Sequence, residues 1–113
     1  ESISVVDDQI GKPTYAADLA EFIFQIILSG KNVPSGIYHY ANDGIVSWYE
    51  FACQIKKTGG YSCAVNPIPS SAYPVPAKRP DYSILNTDKL ALALQITIPK
   101  WDDSLNKCMS LLI

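Results

Sequence analysis

Apolar positions recur at helical spacing between residues 16 and 28: Ala16, Leu19, Ala20, Ile23, Ile26 and Ile27. Phe22, Phe24 and Leu28 widen that stripe over most of the circumference. Pro13 and Thr14 precede it and Gly30 follows. The pattern predicts a helix over 14–29, capped by Thr14 and ended by a left-handed glycine. A helix this apolar must be covered on nearly all sides, which a chain of 113 residues can hardly manage alone. A second helix is announced by Ser47-Trp48-Tyr49-Glu50, a capping box whose hydroxyl and carboxylate can satisfy two orphan amides reciprocally. Phe51, Ala52 and Ile55 form its inner stripe, and Gly59-Gly60 stop it. Ser2-Ile3-Ser4-Val5-Val6 reads as a strand, and so do residues 36–41 between the two helices. Strand, helix, strand, helix is the rhythm of a parallel α/β unit.

The second half is looser. Ala64-Val65-Asn66 predicts a short strand, after which Pro67, Pro69, Pro74, Pro76 and Pro80 keep the chain extended and irregular. Proline removes amide donors, so this stretch is an ordered loop or edge structure rather than a core strand. A short helix follows Asn86-Thr87-Asp88, and a last one covers 101–112 with Trp101, Leu105, Cys108, Met109 and Leu112 on one face. There is no internal repeat and no low-complexity tract.

Composition narrows the function classes. A hydrophobic fraction of 48% with 18% charged residues marks a globular chain. A formal charge of −2 argues against nucleic acid or an anionic membrane surface as the partner, although one or two basic groups suffice to hold a diphosphate. Asp18 and Glu21 interrupt the most apolar run, so no membrane span is expected. Cys53, Cys63 and Cys108 are scattered, no CxxC occurs, and the single His39 has no neighbouring ligand. No metal site is expected, and the free thiols fit a reducing, cytoplasmic setting. The chain opens already in a strand, which points to a piece of something longer.

Three stretches carry a family resemblance. Val6-Asp7-Asp8-Gln9-Ile10-Gly11-Lys12-Pro13-Thr14, continuing to Asp18-Leu19-Ala20, looks like V-x-D-Q-x-G-x-P-T-x-x-x-D-L-A. Gly36-Ile37-Tyr38-His39 is followed by Ser47-Trp48-Tyr49-Glu50-Phe51-Ala52. Residues 73–85, with Tyr73-Pro74, Ala77, Arg79-Pro80, Ser83 and Leu85, are similar to Y-P-x-x-A-x-R-P-x-x-S-x-L, and Pro99-Lys100-Trp101 closes the series. Together they resemble the dTDP-4-dehydrorhamnose reductases, within the extended short-chain dehydrogenase/reductase group. The resemblance implies an α/β fold, the C-terminal part of a Rossmann-like reductase, with a few short strands and about four helices. It also implies that residues 1–113 form a single sugar-nucleotide-binding region. The dinucleotide-binding domain, NADPH or NADH, and the family's Tyr-x-x-x-Lys would belong to an upstream half. None of the seven tyrosines has a lysine four residues on, and the six glycines contain no GxxGxxG. No catalytic and no cofactor-binding residue is therefore expected here.

Arg79 is the leading substrate-binding candidate. Its planar fork of donors suits a diphosphate, its proline-rich segment limits the entropy lost on binding, and related enzymes place an arginine of an R-P segment on the diphosphate. The plainer reading is a surface arginine beside Asp81. Gln9 either hydrogen-bonds a sugar hydroxyl or base edge, or merely belongs to a turn that Gly11 and Pro13 shape and Asp8 caps. Tyr73 either lines the pocket for base or ribose or belongs only to the loop. Trp48 could cover a sugar face, though an aromatic at a helix start is more often a packing staple. His39 is expected to pack within its strand. A dTDP-sugar is the implied ligand, and the apolar helix predicts a homodimer or other self-association. Two rivals remain: another sugar-nucleotide epimerase or dehydratase of the same group, and a binding protein similar to the regulatory subunit of methionine adenosyltransferase.

Overall fold

Strand β1 (Ser2–Val6) leads through a two-residue strand β2 (Ile10–Gly11) into helix α1 (Ala16–Ser29). A short β3 (Val46–Ser47) then precedes helix α2 (Trp48–Gly59), and β4 (Ala64–Ile68) follows. A 3-10 turn (Ser70–Ala72), a long irregular segment, α3 (Asp88–Leu94) and α4 (Trp101–Ser110) complete the chain. The computed structural model describes residues 1–30 and 32–112.

β1 and β4 pair in parallel from Ser2↔Ala64 to Val6↔Ile68, the helices forming the crossover between them. β4 runs two residues further than the sequence pattern implies and includes Pro67. The missing amide is tolerated because β1 is the one strand paired with β4 among the described residues, which makes β4 an edge strand. β2 and β3 form a separate antiparallel pair, Ile10↔Ser47 and Gly11↔Val46. α2 packs against β1, β4 and α4. The capping box forms as the sequence predicts. Ser47 Oγ accepts from the Glu50 amide at 3.1 Å, and Glu50 Oε2 accepts from the Ser47 amide at 2.8 Å.

Residues 36–41 do not form the expected strand. Gly36 lies in a bend and, among the described residues, 37–41 pair with no strand; the first bridge after them is Asp43↔Lys100. Side chains serve this stretch instead. Lys89 Nζ donates to the Ile37 carbonyl at 2.9 Å and lies 4.5 Å from the centre of the Tyr38 ring, while the Tyr38 hydroxyl donates to the Pro34 carbonyl at 2.8 Å. His39 is correspondingly exposed, not packed within a strand.

Thr14 does not cap α1. The cap residue is Tyr15, without a side-chain bond of its own, and its amide donates to Asn42 Oδ1 at 2.8 Å. Asn42 is fully buried, at 0% exposure, and is the centre of a polar knot. Its Nδ2 donates to Asp18 Oδ2 at 2.7 Å, to Ser104 Oγ at 2.8 Å and to the Pro99 carbonyl at 3.2 Å. The Ser104 hydroxyl in turn donates to Asp18 Oδ2. One amide thereby joins α1, the 41–44 turn and α4. The same turn supplies α4's first acceptor, the Asp43 carbonyl, 2.9 Å from the Trp101 amide. Gly44 has φ 99° and lies so close to Trp101 that a Cβ there would meet Cδ1 at 2.6 Å. Only glycine fits that bend.

Among the described residues the buried apolar side chains are Val6, Ala41, Val46, Leu90, Leu94, Leu105 and Met109. This core is small. α1 buries no residue fully, and Ile27 (71%) and Leu28 (69%) stand in the open with Ile23 and Phe24. Its attachment runs through the Asp18 knot and through Phe22, which stacks on Tyr40 with centroids 5.2 Å apart. Burial, and then the neighbouring Asp18 carboxylate, push the Tyr40 hydroxyl above its ordinary pKa. α4 ends at Ser110, and Leu112, expected on its inner face, is exposed. The radius of gyration is 16.6 Å, against about 13 Å for a compact chain of this length. The accessible surface is 7729 Å², against about 6,100 Å² for a folded monomer of this mass.

Asn42→Ala is expected to lower stability by about 2–4 kcal/mol, since it strips partners from the half-buried Asp18 carboxylate and the Tyr15 amide together. Urea denaturation measures this. A loss below about 0.5 kcal/mol, within the range of neutral surface changes, would show that the knot is not a structural hub.

Candidate functional site

The residues after β1 divide the work of assembling a cavity. Asp7 Oδ1 accepts from Ser47 Oγ at 3.0 Å, tying the strand's carboxyl end to the first turn of α2. Asp8 reaches the other way. Its carboxylate accepts from the Ser70 amide at 2.9 and 3.0 Å and from Ser70 Oγ at 2.9 Å, holding the start of the 3-10 turn. Two residues on, the Ile10 amide donates to the Asp81 carbonyl at 2.9 Å, and the Ile10 carbonyl accepts from the Ser83 amide at 2.9 Å. The proline-rich segment is thus fastened at both ends to the short stretch that carries Gln9.

Between these anchors lies a cavity of about 210 Å³ lined by Ser4, Val5, Val6, Gln9, Trp48, Tyr73, Val75 and Arg79. It opens at the carboxyl end of a parallel strand, where α/β folds place their ligands. The three sequence-predicted residues meet here. Gln9 comes from the β1–β2 connection and is 7% exposed, whereas Tyr73 and Arg79 come from the proline-rich segment and are exposed. Apolar walls, one buried amide and one guanidinium make a small polar set. The Asp81 carbonyl, for its part, is engaged by Ile10.

The RmlD substrate binding domain model matches residues 1–113. The chain belongs to that family. A dTDP-4-dehydrorhamnose reductase of Aggregatibacter actinomycetemcomitans is 39% identical over 112 residues, which are 91% of this chain and 38% of that protein. The spore coat polysaccharide biosynthesis protein SpsK of Bacillus subtilis is 42% identical over 86 residues, 76% of this chain and 29% of its own length. Among solved structures, a dTDP-4-dehydrorhamnose reductase from Clostridium acetobutylicum superposes with TM-score 0.88 at 38% identity, covering 98% of this chain and 39% of that one. One from Bacillus anthracis, in complex with NADP, gives 0.89 at 37% identity, with coverage of 98% and 38%. The chain therefore spans well under half the length of these relatives.

Among the described residues the chain is a mixed α/β structure with four α-helices and few short strands, as the resemblance implies. Its residues do not fit a dinucleotide cradle of the glycine-rich kind. Gly30 and Gly60 end helices in left-handed conformations, and no glycine opens one. Among the described residues no helix is long and apolar enough to cross a membrane. Cys53, Cys63 and Cys108 are free thiols.

The reading of Asp8 changes. Asp8 does not cap its own turn; it is the acceptor for Ser70, sixty-two positions away. Trp48, read as either covering a sugar face or packing at the helix start, meets Phe51 edge-on and lines the cavity at 46% exposure. The Asp18–Asn42–Ser104 knot carries no sequence signal beyond the D-L-A of the motif, because its partners are distant in the chain.

The Ser70 amide, ahead of all other influences, holds the Asp8 carboxyl below its ordinary range. The folded pKa is thus below the unfolded one, near 3.9. The stability Asp8 contributes is present above that unfolded value and is lost as pH falls through the folded pKa. Carboxyl-detected NMR of the domain is expected to show Asp8 titrating below the ordinary aspartate value, with the Ser70 amide shift moving in step. An ordinary Asp8 titration, or a Ser70 amide indifferent to it, would remove the staple.

Proposed function

We propose that this chain holds the nucleotide-sugar in an NAD(P)H-dependent dTDP-4-dehydrorhamnose reductase, an enzyme that converts dTDP-4-dehydro-L-rhamnose to dTDP-L-rhamnose for cell-surface polysaccharide. The observation that carries this reading is the convergence of Gln9, Tyr73 and Arg79 on one cavity at the carboxyl end of β1. Residues 1–113 act as one substrate-binding region, and the dinucleotide-binding half belongs to another part of the polypeptide. The names of the relatives and the D-Q-x-G-x-P-T loop favour a reductase over an epimerase, a dehydratase or a regulatory subunit.

In such a reductase, hydride would come from a nicotinamide held by residues outside 1–113. This chain's residues supply position: Arg79 clamps the diphosphate, Gln9 offers a fixed amide, and Tyr73 closes one wall. Holding the sugar at reacting distance is itself a large part of such catalysis. The protein acts in the cytoplasm, where both sugar nucleotide and reduced cofactor are made.

In the full-length protein, Arg79→Ala is expected to raise the KM for the dTDP-sugar by about ten-fold, as for loss of a hydrogen bond to a charged group. NADPH affinity should stay unchanged, and Arg79→Lys should recover only part of the loss, lacking the planar fork. An unaltered KM removes Arg79 from the site.

The open face of α1 belongs to the same picture. The surface in excess of a compact monomer is about 1,600 Å², roughly twice the 800 Å² or so that each partner buries in a standard protein–protein interface. Taken alone, residues 1–113 should therefore self-associate through Ile23, Phe24, Ile27 and Leu28. Light scattering of the isolated chain is expected to report a dimer or larger, and Ile27→Glu to shift it toward monomer. A monomeric wild type would show that the exposed stripe is tolerated.

A further inference from the structure

We propose that Asp8 is a positioning residue for the dTDP-sugar, placing Tyr73 for the ligand by way of Ser70; the proposal rests on the nucleotide-sugar reading above. The proline-rich segment is a strap with two fastenings of different kinds. At its far end the fastening is backbone to backbone. The Ile10 amide donates to the Asp81 carbonyl and the Ser83 amide to the Ile10 carbonyl, both at 2.9 Å. At its near end a single side chain holds it. The Asp8 carboxylate accepts from the Ser70 amide at 2.9 and 3.0 Å and from Ser70 Oγ at 2.9 Å. Ser70 passes that hold on, because its carbonyl accepts from the Tyr73 amide at 3.1 Å across the 3-10 turn. One carboxylate thus fixes the backbone of a residue that lines the cavity.

Position along the strap decides which residue of the cavity depends on which fastening. Tyr73 lies three residues beyond Ser70, and Arg79 lies two residues before Asp81. Among the described residues no hydrogen bond reaches the chain from Pro74 to Pro80, so neither fastening has a substitute between them. Tyr73 is 54% exposed, and its own packing therefore does little to place it. Pro74 follows directly and narrows the conformations open to Tyr73, so a shift of the turn is carried into Tyr73 instead of being absorbed beside it. With Asp8 in place, Tyr73 meets the ligand already ordered. Without it, the ligand must order the turn, at a cost in affinity. The bound geometry, once reached, is the same, so the loss falls on KM and spares kcat.

Steady-state kinetics of the full-length protein with dTDP-4-dehydro-L-rhamnose and NADPH test this. Asp8→Ala is expected to raise the KM for the sugar nucleotide about two- to ten-fold, the range for ordering one side chain on binding. Turnover at saturation and NADPH affinity should stay unchanged. Asp8→Asn keeps the shape and a carbonyl acceptor, and should recover most of the loss. In a Tyr73→Ala background Asp8→Ala should add nothing, whereas with Arg79→Ala the two losses should multiply. Losses that multiply in both backgrounds make Asp8 a general support of the fold and overturn the proposal, as does an unchanged KM in Asp8→Ala. If circular dichroism shows Asp8→Ala unfolded, Ser70→Ala, which removes one of the three bonds, runs the same cycles and is read in the same way. A Tyr73→Ala variant with unaltered KM leaves Asp8 nothing to act through: the positioning role falls, and a raised KM in Arg79→Ala keeps the nucleotide-sugar site standing. Unaltered KM in both, or a wild type without turnover of this sugar nucleotide, overturns the site and the positioning role together.

Discussion

A pair of adjacent carboxylates pulling in opposite directions organises the cavity. In the bend that follows β1, Asp7 meets the capping serine of α2 while Asp8 reaches the 3-10 turn after β4. Gln9 follows directly and is buried between these attachments. Ile10 then bridges to Tyr82 and fastens the far end of the proline-rich segment. A segment with so many prolines has few amides with which to form its own ladder. Its position therefore depends on side chains and single bridges contributed from elsewhere.

A second constraint lies on the opposite flank. Asn42 uses both ends of one buried amide to serve groups from α1, α4 and the loops before them, where an apolar side chain would take the acceptor from the Tyr15 amide and one donor from Asp18. The knot anchors α1 by one edge only. The other edge, rich in isoleucine, phenylalanine and leucine, has too little chain around it to be covered, and the extended radius and surplus surface follow from that shortage. The site is thus carried by a structure whose own core is thin, with polar bonds over long sequence separations doing what apolar burial does in larger domains.

Local signals were legible wherever the chemistry was local. The capping box at Ser47-Glu50, the glycine ends of α1 and α2, and the positions of α3 and α4 all rest on neighbours within a few residues, and they appear where the pattern places them. The expected strand at 36–41 failed because a strand needs a partner, which apolar alternation does not supply. Thr14 was a reasonable cap by residue type, yet Asn42, twenty-seven positions from Tyr15, took that region's amide instead. The same limit applies to Asp8, whose partner lies across the fold.

For this protein the sequence by itself determined the helices, the glycine ends of α1 and α2, the family and the residue types suited to a nucleotide-sugar: a guanidinium, an amide and a tyrosine in motif positions. Those follow from backbone propensity and side-chain chemistry, which a residue carries with it. Only the tertiary structure decided that Gln9, Trp48, Tyr73 and Arg79 share one cavity, that Asp8 serves Ser70, and that Asn42 joins two helices. These depend on distances between residues tens of positions apart, and such distances are set by packing, bridges and register together.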